Sequence, residues 1–177
     1  MKRKKLGIIG RNTVVEFVGH ARGVAAKVDT GADSSSVWAT NIRINPEGDL
    51  QFILFDEGSP HYTGEIITRK DYTVAVVRSA TGHEQIRYRV RFSLRIHRKK
   101  VLALFNLSDR SKNIFPVLIG RRTLKNKFVV DVTRADVARE EKVFSDENRV
   151  LSNELAKDPQ AFYKKYFGKN IDKIGED

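Results

Sequence analysis

The chain of 177 residues contains no cysteine. This absence excludes a disulfide framework and any thiol chemistry. The chain also lacks an apolar stretch long enough to span a bilayer. Its basic first residues resemble the start of a secretion signal, but the apolar run at 6–10 is too short to continue one. We therefore expect a cytoplasmic protein with no membrane partner.

Two common catalytic signatures are missing as well. There is no His-Glu-x-x-His, which would indicate a zinc peptidase, and no glycine-rich loop of the kind that cradles phosphate. The histidines are few and scattered, and each is more typical of a surface or turn position than of a metal ligand. They are His20, His61, His83 and His97. The sequence therefore predicts no metal and no cofactor.

An Asp-Thr-Gly triplet is present at Asp29, Thr30 and Gly31, after an apolar lead-in. By itself such a triplet is more typical of an ordinary turn than of a catalyst. A second element follows it once, an apolar run over 115–119 that ends in Gly120 and Arg121. The two elements in this order resemble the active-site signature of aspartic peptidases.

Aspartic peptidases need two carboxylates that share one proton, because two close like charges cannot both ionise. One carboxylate then activates water while the other protonates the carbonyl. This chain has only one Asp-Thr-Gly and no Asp-Ser-Gly. We therefore expect Asp29 of a second copy to supply the other carboxylate across a twofold axis. Thr30 is expected to lock the loop by hydrogen bonding, and Gly31 to allow close approach to the neighbouring Asp29.

The hydrophobic pattern divides the chain near residue 134. Up to that point apolar and polar residues alternate at period two, which predicts short strands. The predicted strands are Thr13–Val18, Gly23–Val28, Ile42–Ile44, Gln51–Phe55, Tyr72–Arg78, Gln85–Ile96, Val101–Leu107 and Phe128–Val130. Such spacing predicts an all-β barrel or sandwich over residues 1–134.

The pattern of residues 135–177 predicts a helical C-terminal extension. We expect one helix at 146–156 with Ser145 as its N-cap, and another at 159–167 that begins with Pro159. The charge changes at the same place: of the formal net charge of +11, residues 1–134 carry a larger basic excess, while 135–177 carry a slight acidic excess.

The strand at 85–96 separates apolar and basic side chains most clearly. One face carries Tyr88, Val90, Phe92, Leu94 and Ile96, and the other carries Arg87, Arg89, Arg91, Ser93 and Arg95. The basic face is either a solvated surface or a contact for an acidic partner, which would be RNA or a polyacidic peptide. We favour the peptide, since the strand lacks exposed aromatic rings for base stacking.

These motifs together resemble the bacterial and archaeal family known as ATP-dependent zinc proteases, whose fold is retropepsin-like. The matching segments are 25–32, 107–111, 117–124 and 128–131, within a region of resemblance over roughly 8–134. The resemblance implies a closed retropepsin-like barrel and an aspartic endopeptidase that acts as a homodimer. Members are often linked with ligases that add glutamate to ribosomal protein tails.

The resemblance also implies roles for other residues. Ala32 and Asp33 would bind substrate, although Asp33 could equally serve a structural pair with Arg121. Gly120 and Arg121 would support the loop. The turn at 79–83 would be the tip of a flap over the substrate, formed by Ala80, Thr81 and Gly82, unless it is an ordinary surface hairpin.

One feature departs from a minimal retropepsin. The spacing between Asp29 and Gly120 is long, and the surplus falls mainly at 41–70, which could partly cover the cleft. Two functions therefore stay open at this level. The first is a homodimeric aspartic peptidase, and the second is a basic binding module without catalysis that contacts RNA or an acidic protein tail.

Overall fold

The computed structural model describes residues 6–78, 84–137 and 139–168, with the backbone alone over 139–147. Two compact units divide at Val137 and Ala138. The first contains the strands and one short helix, and the second contains two helices. No helix in the described part of the chain is long and apolar enough to cross a membrane.

The first unit is built from short strands joined mainly by tight turns. Its elements are β1 (Gly7–Ile9), β2 (Asn12–Phe17), β3 (Ala21–Asp29), β4 (Ser35–Ile44), β5 (Leu50–Leu54), β6 (Ile66–Arg69), β7 (Thr73–Arg78), β8 (Glu84–Ile96), β9 (Lys99–Ser108), β10 (Val117–Gly120), α1 (Arg121–Leu124) and β11 (Phe128–Val130). The second unit contains α2 (Arg139–Lys157) and α3 (Pro159–Tyr166).

Six of the strands close into a barrel in the order β10-β3-β2-β8-β9-β4, and β4 pairs with β10 to complete the ring. The predicted all-β, retropepsin-like closed barrel is thus confirmed. β5 and β6 extend the sheet from β4, and β7 pairs with β8 outside the ring. β1 and β11 form a separate parallel pair.

Aromatic side chains fill the barrel interior. The ring of Phe17 lies 5.1 Å from that of Phe92 and 5.4 Å from that of Phe105, and all three are buried. The alternation predicted for 85–96 is present as well. Every second side chain is fully or almost fully buried, namely Val90, Phe92, Leu94 and Ile96. Burial of this apolar surface is the main stabilising contribution to the unit.

The sequence prediction omitted β1, β6 and β10, and two of its element starts are wrong by several residues. β4 starts at Ser35 rather than near Ile42, because Ser35 and Ser36 are buried within the barrel wall instead of forming a loop. The first C-terminal helix starts at Arg139, so Ser145 lies inside α2 and is not its N-cap. Acidic residues at 140 and 141 favour this earlier start, since negative charge stabilises the first turn of a helix.

The last helix begins where the sequence placed it. Pro159 occupies the first turn of α3, and the Asp158 carboxylate caps it by accepting hydrogen bonds from the backbone N–H groups of Gln160 and Ala161, at 3.1 and 2.9 Å. The helix ends at Tyr166, one residue before the predicted end. The start of α3 is therefore set by local capping, and capping residues can be recognised in the sequence.

Candidate active site

Asp29 is the last residue of β3, opposite Gly120 at the end of β10. Its carboxylate Oδ1 accepts hydrogen bonds from the backbone N–H groups of Gly31 and Ala32, both at 2.9 Å. Among the described residues none donates a hydrogen bond to Oδ2. The carboxylate is thus oriented by its own loop through one oxygen, while the other stays available to a water or to a second acid.

The loop after Asp29 is bound to the start of α1. The backbone carbonyl of Ala32 accepts from the N–H of Arg121 at 2.9 Å, and that of Asp33 accepts from the N–H of Arg122 at 3.2 Å. The loop is therefore held from two sides, by the end of β3 and by the start of α1. Thr30, at the tip, is exposed.

A buried hydroxyl pair reinforces the same connection. The Ser35 hydroxyl accepts a hydrogen bond from the backbone N–H of Gly120 at 3.0 Å and shares a second with the Thr123 hydroxyl at 2.8 Å. Ser35 and Thr123 are 1% and 4% exposed. This pair is not among the residues predicted from the sequence, and the signal for it is the run of small hydroxyl residues after Asp33.

Replacing Ser35 by alanine is expected to destabilise the barrel by about 1–3 kcal/mol, because the buried N–H of Gly120 would lose its acceptor. Urea unfolding followed by tryptophan fluorescence measures the change. Ser59→Ala is the matched control, since the Ser59 hydroxyl accepts from His61 at 3.3 Å in a surface turn. Equal stability of the two variants would contradict this role of Ser35.

Gly120 is required by close packing. A Cβ at this position would lie 2.5 Å from the backbone carbonyl carbon and oxygen of Ser34 and 3.0 Å from the carbonyl oxygen of Ala32. Only glycine lets the active-site loop pass this close to the end of β10. The structure therefore gives the predicted supporting position of Gly120 a physical basis.

Asp33 lies in an ion-pair cluster beside the loop. Its Oδ1 accepts from Arg121 Nε at 2.8 Å, and its Oδ2 pairs with Arg122 at 2.5 Å. The hydrogen bond from Arg121 is the largest cause that holds the pKa of Asp33 below its usual value, and the Arg122 charge adds to it. Of the two alternatives for Asp33, the pair with Arg121 is thus present. Substrate binding by Ala32 and Asp33 stays a prediction.

The proposed flap tip falls outside the described residues. Ala80, Thr81 and Gly82 lie in the segment 79–83 that connects β7 to β8 in the chain. The described part of the two strands forms an antiparallel ladder whose last pair is Arg78 and Glu84. A substrate-binding role for the three residues remains a prediction from the resemblance.

Two cavities adjoin the active-site loop. The larger, of about 710 Å³, is lined by Thr30, Asp33, Arg121, Arg122, Leu124, Lys125, Phe128 and Val130. The smaller, of about 210 Å³, includes Ser34, Arg89, Arg91 and Arg122 in its lining. Both linings combine basic and apolar side chains.

The basic face of β8 is not uniform. Arg95 pairs with Glu16 at 3.0 Å and Arg91 with Asp71 at 3.3 Å. In contrast, Arg87 and Arg89 donate to neutral side chains, Gln85 Oε1 at 2.9 Å and Thr73 Oγ1 at 3.3 Å. Within the described residues, the four arginines predicted to act together therefore separate into two that pair with carboxylates and two that do not.

Metal ligation finds no support in the described residues, in which no group of three or more His, Cys, Asp or Glu side chains converges. The histidines instead make local contacts. His97 Nε2 lies 2.8 Å from Asp136 Oδ2, and His20 Nδ1 lies 3.2 Å from Glu65 Oε2.

Residues 8–141 match the family described as RimB-like, retropepsin-like aspartic endopeptidase RimB. The chain belongs to this family. The match covers most of the chain, including the Asp29 loop and the Gly120 element, which the fold brings together. The resemblance inferred from the motifs is confirmed.

One curated relative and one solved structure extend this comparison. A probable alpha-L-glutamate ligase of Desulfotalea psychrophila is 23% identical over 111 residues, which are 61% of this chain and 24% of the ligase. The chain thus spans about a quarter of that relative's length. A Legionella pneumophila protein of unknown function is 23% identical, with a TM-score of 0.57 over 73% of this chain and 95% of its own. That likeness concerns the fold alone.

Proposed function

We propose that the chain is an aspartic-type endopeptidase, active as a homodimer that contributes one Asp29 from each copy. The observation that carries this proposal is the fixed Asp29 loop, in which two backbone N–H groups orient the carboxylate through Oδ1. A binding surface has no need for a carboxylate held in this way at the end of a strand. Membership of a family named for this chemistry supports it.

The reaction follows from two carboxylates that share a proton. The ionised Asp29 removes a proton from a water molecule, whose oxygen attacks the peptide carbonyl carbon. The protonated Asp29 of the second copy gives its proton to the carbonyl oxygen, which yields a neutral gem-diol. Proton transfer to the nitrogen then allows the C–N bond to break. One water molecule is consumed for each peptide bond that is cleaved, and no metal or cofactor takes part.

The dimer is required because the chain supplies a single such loop. Asp29 is half-buried, while Thr30 and Gly31 are exposed at the tip. A twofold axis near Thr30 would bring the two tips together and place both carboxylates on one water. The Thr30 hydroxyl would then bond across the axis, which is the locking role predicted for it.

Activity per chain is expected to fall on dilution, because each site needs two copies. Specific activity measured from micromolar to low nanomolar concentration should decline with the dimer fraction found by analytical ultracentrifugation. A chain that is monomeric by sedimentation and keeps full specific activity would contradict the shared site.

A second function, a basic binding module without catalysis, is supported by different observations. The net charge is +11, and Arg87 and Arg89 have no carboxylate partner among the described residues. A relative named as a probable glutamate ligase is consistent with an acidic protein tail as the partner. Peptide cleavage by the purified chain, lost in Asp29→Asn, separates the peptidase from this alternative.

A further inference from the structure

A third cavity lies where the start of β9 meets the turn between α1 and β11. It has a volume of about 470 Å³ and is lined by Lys99, Lys100, Val101, Leu102, Asn126 and Lys127. Half of these side chains are lysines, and no acidic residue is among them. The cavity, which we call the lysine groove, therefore combines positive charge with a small apolar surface. None of its lining residues belongs to the active-site loop.

Two of the three lysines in the groove have no anion of their own. Lys127 Nζ donates to the backbone carbonyl oxygen of Lys125 at 3.4 Å, and no carboxylate among the described residues pairs with it. The side chain of Lys100 has neither a hydrogen-bond nor an ion-pair partner within the described residues. Lys99 lies over the ring of Phe128, 5.7 Å from its centre. The groove therefore holds positive charge that an external anion can neutralise.

The chain around the groove is strongly basic. Residues 98–127 contain nine lysines and arginines and one acid, Asp109, so they carry most of the formal net charge of +11. Arg98 and Lys125 adjoin the groove residues in the chain, and both are exposed. Charges of one sign that gather on one surface raise the local concentration of oppositely charged partners. Because the positive charge extends beyond the groove, this surface suits a polyanion better than a single small anion.

The types of side chain in the groove favour a phosphodiester backbone. A lysine ammonium is a compact point charge, without the rigid fork by which arginine matches one carboxylate in a fixed geometry. It suits a partner whose charge recurs at regular intervals, as in a nucleic acid. No aromatic side chain is among the described residues that line the groove, so unpaired bases find no ring to stack on. A double helix does not need such a ring, because its bases stack on each other.

Asn126, which lies between Lys125 and Lys127, can distinguish RNA from DNA. It is exposed, its φ is +61°, and its side-chain amide makes no hydrogen bond within the described residues. An amide can both donate to and accept from a hydroxyl, and the 2′-hydroxyl is the group that RNA has and DNA lacks. The backbone does not require asparagine here, because glycine adopts a positive φ more readily. The amide is therefore available to a ribose in the groove.

We propose that the lysine groove binds the phosphate backbone of a double-helical segment of RNA. Lys100 on β9 and Lys127 on the turn before β11 each contact a phosphate, and Asn126 contacts a 2′-hydroxyl. No base edge is read, so the protein binds duplex RNA without sequence preference. The groove is a second functional surface, and it does not depend on the proposed peptidase activity of Asp29.

Fluorescence anisotropy with a labelled RNA duplex of about 20 base pairs measures binding across a series of salt concentrations. The logarithm of the parent's affinity should fall linearly with the logarithm of salt concentration, with a slope of about −2 to −4, since each neutralised phosphate contributes about −0.9. Lys100→Gln and Lys127→Gln should each weaken binding several-fold and reduce the slope by about 1. Because the Lys100 side chain has no partner to lose, Lys100→Gln keeps the test decisive if Lys127→Gln does not fold. Affinity and slope unchanged in Lys100→Gln would overturn the groove as the binding surface.

Arg43→Gln is the matched control, because it removes the same charge far from the groove. Arg43 lies on β4 beyond Trp38, which pairs with Ser108 at the end of β9, whereas Lys100 lies near the start of β9. Its side chain is exposed and donates to Gln51 at 3.0 Å. This variant should keep the affinity and the salt slope of the parent. If it weakened binding as much as Lys100→Gln, the attraction would be diffuse and a specific groove would be rejected.

Asn126→Gly tests the choice of RNA over DNA. It removes the amide and introduces a residue that adopts the left-handed backbone without strain. The parent should bind the RNA duplex about 3-fold or more tightly than a DNA duplex of the same sequence, which is the scale of one net hydrogen bond. In Asn126→Gly the two affinities should approach each other. A parent that binds RNA and DNA equally would overturn RNA as the occupant.

Competition in the same assay compares duplex RNA with other polyanions. Oligoglutamate of matched charge and single-stranded oligouridine should both displace the labelled duplex less effectively than unlabelled duplex does. If either competes better than the duplex, and loses that advantage in Lys100→Gln, double-helical RNA is overturned as the occupant. Asp29→Asn should bind the duplex as the parent does, so RNA binding by a chain that cleaves nothing would support the groove and reject the peptidase. Peptide cleavage by a parent that does not bind the duplex would do the reverse.

Discussion

Replacement of Asp29 by asparagine is expected to abolish peptide cleavage, with a loss of at least about 1,000-fold in kcat. An amide can neither remove a proton from water nor give one to the carbonyl oxygen. The fold should persist, because the side-chain oxygen of the new amide can still accept from the N–H groups that Oδ1 binds now. Cleavage of a fluorogenic peptide gives the rate, and circular dichroism confirms the fold.

The matched control is Asp158→Asn, because the Asp158 carboxylate also accepts from two backbone N–H groups, at the start of α3. It should cleave at the parent rate. Cleavage retained by a clean Asp29→Asn preparation would reject the aspartic mechanism. Inhibition by a chelator but not by a statin-type transition-state mimic would point to metal chemistry instead.

Mixing the variant with the parent chain tests the shared site directly. Excess Asp29→Asn protein should lower the activity of a fixed amount of parent protein, because mixed dimers contain one carboxylate. Activity independent of the added variant would indicate that each chain works alone.

Replacement of Gly120 by alanine is expected to cost roughly 1–3 kcal/mol of stability and to remove most activity. The new Cβ would lie 2.5 Å from the Ser34 carbonyl group, so β10 and the active-site loop must separate. That movement would displace Asp29, which is paired with Gly120. Thermal unfolding and peptide cleavage measure the two effects.

Gly58→Ala is the control for this substitution, since a Cβ there meets nothing within 4 Å. It should leave stability and cleavage close to those of the parent. If Gly120→Ala were as stable and active as Gly58→Ala, the loop would not depend on its close contact with β10.

Alternation along long strands predicted an all-β barrel or sandwich, and the resemblance to a known family implied the closed barrel. β8 shows this best, since its core positions recur at every second residue. The same reasoning failed for the start of β4, because Ser35 and Ser36 look like loop residues. Their burial is explained only by partners from distant parts of the chain, such as Thr123 and Arg110. Ser145 was predicted as an N-cap because its residue type suits that position. The acidic residues before it favour an earlier start of the helix, so the prediction is wrong.

The sequence by itself determined the all-β class, the likeness to retropepsins, which implied the closed barrel, and the identity of the candidate catalytic carboxylate. These rest on local information: strand periodicity and a triplet followed by Gly120 and Arg121. Only the tertiary structure decided which charges are neutralised. Arg87, Arg91 and Arg95 are equivalent in the alternating pattern, yet Arg91 and Arg95 meet carboxylates while Arg87 meets none among the described residues. The reason is physical: ion pairs and buried hydroxyl contacts join residues far apart in the chain, and only the closed barrel brings them together.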